Sequence, residues 1–186
     1  MAAACPITVV RYDGNGFPPN ERYPEDASET FKAGTPVFLD SDGMVNPVTT
    51  SFGGTEIVLG IAAEAGHNLA TQNTSELGSE HGSVVGMSSA KRPAVGSPMK
   101  DGKCQVIHAT GQTIFRGALT DGQTGTVALV QPGTRYELAL EANGYWSVDS
   151  TDTGTGADHV VEIVDLDPNN PEYVYFKFTS TKRAFV

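Results

Sequence analysis

Residues 32–64, KAGTPVFLDSDGMVNPVTTSFGGTEIVLGIAAE, decide the fold class. Gly34 and Pro36 mark a turn, and Val37-Phe38-Leu39 follows with side chains that suit a pleated, half-buried surface. Asp40-Ser41-Asp42-Gly43 then supplies tight-turn chemistry. Met44-Val45 resumes the extended run until Pro47, which lacks a backbone donor, ends the ladder. The reading is a β-hairpin. After a Thr- and Gly-rich loop, Ile57-Val58-Leu59-Gly60-Ile61-Ala62-Ala63 is apolar on both faces, so it is expected to be the most buried strand of the chain.

The same style continues on either side. Ile7-Thr8-Val9-Val10-Arg11-Tyr12 reads as a strand, and the Pro-, Gly- and acid-rich residues 13–29 after it have little to bury, so residues 1–30 are expected to form an extended arm. Residues 66–92 form a polar insertion in which Val84-Val85 is the one strand candidate. Asp101-Gly102 separates apolar pieces, with Cys104-Gln105-Val106-Ile107-His108 as the second. Further on, Thr126-Val127-Ala128-Leu129-Val130, Tyr136-Glu137-Leu138-Ala139-Leu140 and Tyr145-Trp146-Ser147-Val148 are extended. The last two are joined by the hairpin signal Asn143-Gly144. Val160-Val161-Glu162-Ile163-Val164-Asp165-Leu166 and Tyr173-Val174-Tyr175-Phe176-Lys177-Phe178 flank a turn-rich segment. With 21 Gly and 11 Pro and no sustained helical period, the chain is expected to be all-β: a barrel or sandwich of short strands with few helices. The expected division is an arm at 1–30, a β domain at 31–120 carrying the insertion at 66–92, and a C-terminal β segment at 121–186, with a single domain for the last two as the alternative.

At 186 residues the chain can bury a core without staples. A formal charge of −10 argues against a phosphate-binding surface, because nucleic-acid affinity comes mostly from cationic neutralisation. The N-terminal residues lack the basic region of a signal peptide, and no apolar run approaches about 18 residues, so neither export nor a membrane partner is expected. Cys5 and Cys104 are expected to be free thiols in a reducing compartment.

The hairpin Gly-Thr-Pro-Val-x-Leu-Asp-x-x-Gly-x-Val-x-Pro at residues 34–47, followed by Ile-Val-Leu-Gly-Ile-Ala at 57–62, resembles the decoration (cement, head-stabilising) proteins of tailed bacteriophages, the lambda-like family. The resemblance covers residues 31–65. It implies a homotrimer seated at three-fold positions of a phage head, with the major capsid protein as partner, no active site and no cofactor. The expected location is the outer surface of the virion, with synthesis in the host cytoplasm. The polar insertion and the C-terminal β segment depart from the family pattern.

Catalytic templates fail in turn. Gly96 to Cys104 resembles a phosphate-cradling loop, but five residues rather than four separate Gly96 from Gly102, and Cys104 stands where Ser or Thr would hold magnesium. His67, His81, His108 and His159 are widely spaced with no helical pair, so no metal site is expected. The run from Asp165 starts like a calcium loop, yet Asn170 replaces its Gly and Phe176 its bidentate Glu. Asp149, Asp152 and Asp158 read as a solvated acidic loop rather than a cation site. No catalytic residue is expected, and the chain is not read as an enzyme.

Two readings of function remain. In the first, Ile7, Thr8, Val9, Val10, Arg11 and Tyr12 form the capsid interface, adding as a strand to an exposed sheet edge of the head. In the second, the chain is a recognition module on the virion surface that binds carbohydrate or a host surface through Tyr145 and Trp146. A Trp just after an Asn-Gly turn also reads as a core anchor.

Overall fold

A computed structural model describes residues 6–26, 29–49, 52, 56–66, 103–121, 129–154, 156 and 158–185. Among them are eleven strands and no helix. The larger sheet comprises β1 (Thr8–Tyr12), β7 (Thr113–Thr120), β11 (Tyr173–Phe178), β10 (Val161–Leu166), β8 (Arg135–Leu140) and β9 (Trp146–Thr153), in that spatial order. β9 returns to β7 through the parallel pairs Leu119↔Val148 and Thr120↔Asp149. Five strands thus close into a barrel, and β1 is an additional strand beside β7. The smaller sheet runs β2 (Asn20–Pro24), β6 (Lys103–His108), β5 (Gly60–Ala62), β3 (Pro36–Leu39) and β4 (Val45–Pro47). A parallel bridge between Glu25 and Val45 brings its two ends together.

Turn chemistry fixes the hairpins. Asp40 Oδ1 accepts the amides of Asp42 at 2.9 Å and Met44 at 2.8 Å, and its Oδ2 accepts Asn46 Nδ2 at 2.9 Å. One carboxylate therefore organises the whole β3–β4 connection, with Gly43 taking φ 74°, a conformation side chains disfavour. In the β8–β9 hairpin, Asn143 Oδ1 accepts the Tyr145 amide at 3.0 Å and Gly144 takes φ 77°. Both turns match the sequence reading.

One hydrophobic cluster joins the two sheets. Phe115, Phe176 and Phe178 pack ring against ring within the barrel, at centroid distances of 5.7–6.0 Å. Trp146 meets Phe52 edge-on at 5.5 Å, and Val48, Val58 and Ile61 from the smaller-sheet region complete the cluster. Each such side chain contributes about 1.5–3 kcal/mol on burial. Residues 31–120 and 121–186 thus share a core, and β7 belongs to the barrel with the C-terminal strands. A second cluster, with Val37, Val45, Leu59, Ala62, Cys104 and Val106, fills the smaller sheet.

Four expectations need correction. The central strand is β7, buried at seven of its eight positions, which the sequence reading passed over. Within residues 57–63 only Gly60–Ala62 is a strand, and Ile57 is 53% exposed. The N-terminal residues are not a free arm. β1 pairs with β7 and β2 with β6, because Ile7 anchors in the core and Tyr23 packs on the second cluster. Of the strand expected at Thr126-Val127-Ala128-Leu129-Val130, Leu129 and Val130 are irregular and the rest lies outside the described residues. Val84-Val85, Asp101-Gly102, His67 and His81 also lie outside them.

Gly60 marks the tightest contact in the smaller sheet. A Cβ built there would sit 2.0 Å from the Ile107 carbonyl oxygen, so β5 and β6 can pair at their observed separation only with glycine. Gly60→Ala is therefore expected to destabilise the chain by at least ~3 kcal/mol, measured by urea unfolding, whereas an unchanged midpoint would contradict the pairing.

Candidate functional site

β1 is the strand that both the sequence and the sheet topology single out. Its inner edge pairs with the first half of β7, leaving the second half to β9, and it stands last in the strand order. Its outer edge is therefore an open row of backbone groups among the described residues. A register shift between Val9 and Arg11 places an irregularity at Val10, whose side chain is 46% exposed. Thr8 and Arg11 are also exposed, while Val9 and Tyr12 are half-buried. Ile7 is a core residue, 2% exposed, which removes it from the expected interface set and makes it the strand's anchor.

Charged contacts fix the far end of β1. Arg11 Nε donates to Asp13 Oδ1 at 2.9 Å, and Lys177 Nζ on β11 donates to Asp13 Oδ2 at 3.2 Å. The Lys177 hydrogen bond, helped by Arg11, holds the Asp13 carboxyl below its ordinary range. The Asp13 amide also donates to the Gln112 carbonyl at 2.9 Å, so the chain leaves the strand in a defined direction. Phe17 follows in the next loop, 90% exposed.

The second expected pair lies elsewhere, at the start of β9. Trp146 is 1% exposed, so it is a core anchor and not a stacking platform. Tyr145 is half-buried and covered by Lys32, whose Nζ lies 4.3 Å from the ring centroid and donates to the Asn143 carbonyl.

Two polar constellations come from residues distant in sequence. Glu21, Tyr23 and His108 form a chain: Tyr23 Oη lies 3.1 Å from Glu21 Oε2 and 2.9 Å from His108 Nε2. Burial and Glu21 push the Tyr23 hydroxyl up to about 12, and burial lowers His108, whose ring stacks on Phe185 at 4.3 Å. The other gathers Glu137, Asp152, Asp158 and His159. His159 Nε2 is 2.9 Å from Asp152 Oδ1, and its Nδ1 is 3.0 Å from Asp158 Oδ1. Burial, then a hydrogen bond with Asp152 and the charges of Asp152, Asp158 and Asp149, push Glu137 up to about 7. The sequence reading had placed these aspartates on a solvated loop. Strand alternation at Tyr136, Glu137 and Leu138 was the available signal that Glu137 faces away from the core.

No group of three or more His, Cys, Asp or Glu among the described residues has the arrangement of a metal site. Cys104 is a free, buried thiol pushed up to about 12, by burial first and then by Glu25 and Glu64, so it is a poor nucleophile. No protein-family model matches the chain, and comparison with curated proteins and with solved structures returned no match.

Glu137 generates a pH prediction. A carboxyl whose folded pKa is raised stabilises the fold below its ordinary value of 4.5, and that contribution is lost as pH rises through about 7. His108 acts in the opposite sense over part of this range, so the informative quantity is the difference between the wild type and Glu137→Gln. The thermal midpoint of Glu137→Gln, relative to wild type, is expected to rise between mildly acidic and mildly alkaline pH. A constant difference would show that Glu137 ionises normally.

Proposed function

We propose that the chain is a structural virion protein that binds the outer surface of a phage capsid as a homotrimer and clamps neighbouring capsomers. The observation that supports the reading is that, among the described residues, the outer edge of β1 is open, with Thr8, Val10 and Arg11 exposed along it. The resemblance of residues 34–47 and 57–62 to the phage decoration proteins supports it.

The mechanism is strand addition. A segment of the major capsid protein pairs with the outer edge of β1, main-chain hydrogen bonds giving affinity and alternate side chains giving register. Because β1 is held by Ile7 and by β7, little ordering cost remains for this strand on binding. Each added hydrogen bond contributes only about 0.5–1.5 kcal/mol net. Three edges engaged together on one trimer would raise affinity by roughly 10²–10⁴ over a single edge. The formal charge of −10 favours a basic docking surface on the head. The reading involves no catalytic step, no cofactor, and neither nucleic acid nor membrane.

Removing residues 1–24 would take away β1, β2 and the Ile7 anchor together, so a point substitution is the cleaner test. Val10→Asp places a charge on the exposed edge while the core is untouched. It is expected to keep the wild-type mass in light scattering and to lower cosedimentation with undecorated heads by ~10-fold or more. A folded Val10→Asp protein that pellets with heads as the wild type does would refute edge pairing.

A further inference from the structure

The Asn143-Gly144 turn brings together the parts of an intramolecular reaction. Gly144 has no Cβ, so its backbone nitrogen is unshielded toward the Asn143 carboxamide, and attack of that nitrogen on Asn143 Cγ closes a five-membered succinimide ring. The Tyr145 amide donates to Asn143 Oδ1 at 3.0 Å. A side-chain oxygen that reaches the amide two residues on folds the carboxamide back over the intervening peptide, which brings Cγ beside the Gly144 nitrogen. The same amide faces the oxygen on which negative charge develops as Cγ becomes tetrahedral, the place of an oxyanion-hole donor.

Lys32 supplies the second device. Its Nζ donates to the Asn143 carbonyl oxygen, which is conjugated with the attacking nitrogen. When the Gly144 N–H ionises, its charge spreads onto that oxygen, where a cation stabilises it. The Tyr145 ring holds Nζ in place from 4.3 Å, and the Lys32 stem lies against Gly144, where a Cβ would sit 3.4 Å from Lys32 Cε. Opposing these contacts is the hydrogen bond from the Gly144 N–H to the Glu141 carbonyl at 2.8 Å, which is given up as the proton leaves. Asn143 is exposed, so water and hydroxide reach the turn.

We propose that Asn143 is a self-modifying site, deamidated in the folded chain by attack of the Gly144 nitrogen with Lys32 polarising the attacking peptide. The Gly144 N–Cγ bond forms and the Cγ–Nδ2 bond breaks, and Nδ2 leaves as ammonia with the proton that Gly144 gives up. Water then opens either carbonyl of the succinimide, yielding aspartate or isoaspartate. Aspartate keeps an acceptor for the Tyr145 amide and adds a negative charge beside Lys32. Isoaspartate routes the backbone through Cβ, which lengthens the turn just ahead of Trp146 and β9.

The test incubates the full-length chain at mildly alkaline pH, folded and in urea, and follows aspartate and isoaspartate at position 143 by peptide mapping. The folded wild type is expected to accumulate both products, folded Lys32→Gln to form them ~10-fold more slowly, and Lys32→Arg to recover most of the rate. In urea the three chains are expected to react alike. If Lys32 only braced the hairpin, Lys32→Gln would loosen the turn and react faster than the wild type. That result would overturn the proposal, as would equal rates in folded Lys32→Gln and wild type, or a folded wild type left intact at Asn143 while the chain in urea is converted.

Discussion

Two residue pairs, Leu119↔Val148 and Thr120↔Asp149, turn five strands of the larger sheet from a curled sheet into a closed barrel, with β1 outside it. The contact is short and parallel, and it is reinforced where Thr120 Oγ1 meets Ser147 Oγ at 3.0 Å in a buried setting. Ser147 Oγ also donates to Glu141 Oε1 at 2.7 Å, so both hydroxyls at the seam have partners. With the seam made, Leu119, Trp146 and Val148 lie in the same core as the Phe115, Phe176 and Phe178 rings. Closure also removes two edges that would otherwise be open to pairing with other chains.

The seam uses only the end of β7, and that is what leaves room for β1. β7 is paired with β11 along one edge and divides the other between β1 at its start and β9 at its end. A strand placed this way is held on one side and, among the described residues, open on the other. Ile7 in the core and the Arg11, Asp13 and Lys177 contacts fix its two ends. Under the proposed function, the surface offered to a partner is a preorganised edge, which separates this arrangement from a flexible arm that must order as it binds.

Local signals carried much of the architecture. Asp40-Ser41-Asp42-Gly43 and Asn143-Gly144 specify their hairpins through side-chain bonds to neighbouring amides, and such information is contained within a few residues. β7 was illegible for the opposite reason. Its centre holds Arg116 and Gly117, which look like a break, but Arg116 Nε donates to Asp167 Oδ2 at 2.7 Å and its guanidinium lies 3.7 Å from the Tyr173 ring centroid. Those partners lie more than fifty residues away. β2 was hidden likewise: Asn20-Glu21-Arg22-Tyr23-Pro24 has the composition of a solvated linker, yet Arg22 and Tyr23 reach partners on β6. Of the candidate site, the strand at residues 8–12 was legible from its β-branched and aromatic residues, and Trp146 as a core anchor from its place just after the Asn-Gly turn, whereas the anchoring role of Ile7 depends on long-range packing. The Glu137 and Asp152 contact arises from the irregular register between Tyr136 and Leu138, which no local motif encodes.

The central claim is that β1 presents an edge that a capsid strand completes. The most direct measurement is amide hydrogen exchange of the peptide covering residues 8–12, on the free chain and on the chain bound to undecorated heads. The account predicts that exchange in this peptide slows on the heads more than in the barrel strands β8 and β10. Exchange at residues 8–12 that is the same free and bound, with the chain demonstrably on the heads, would contradict it.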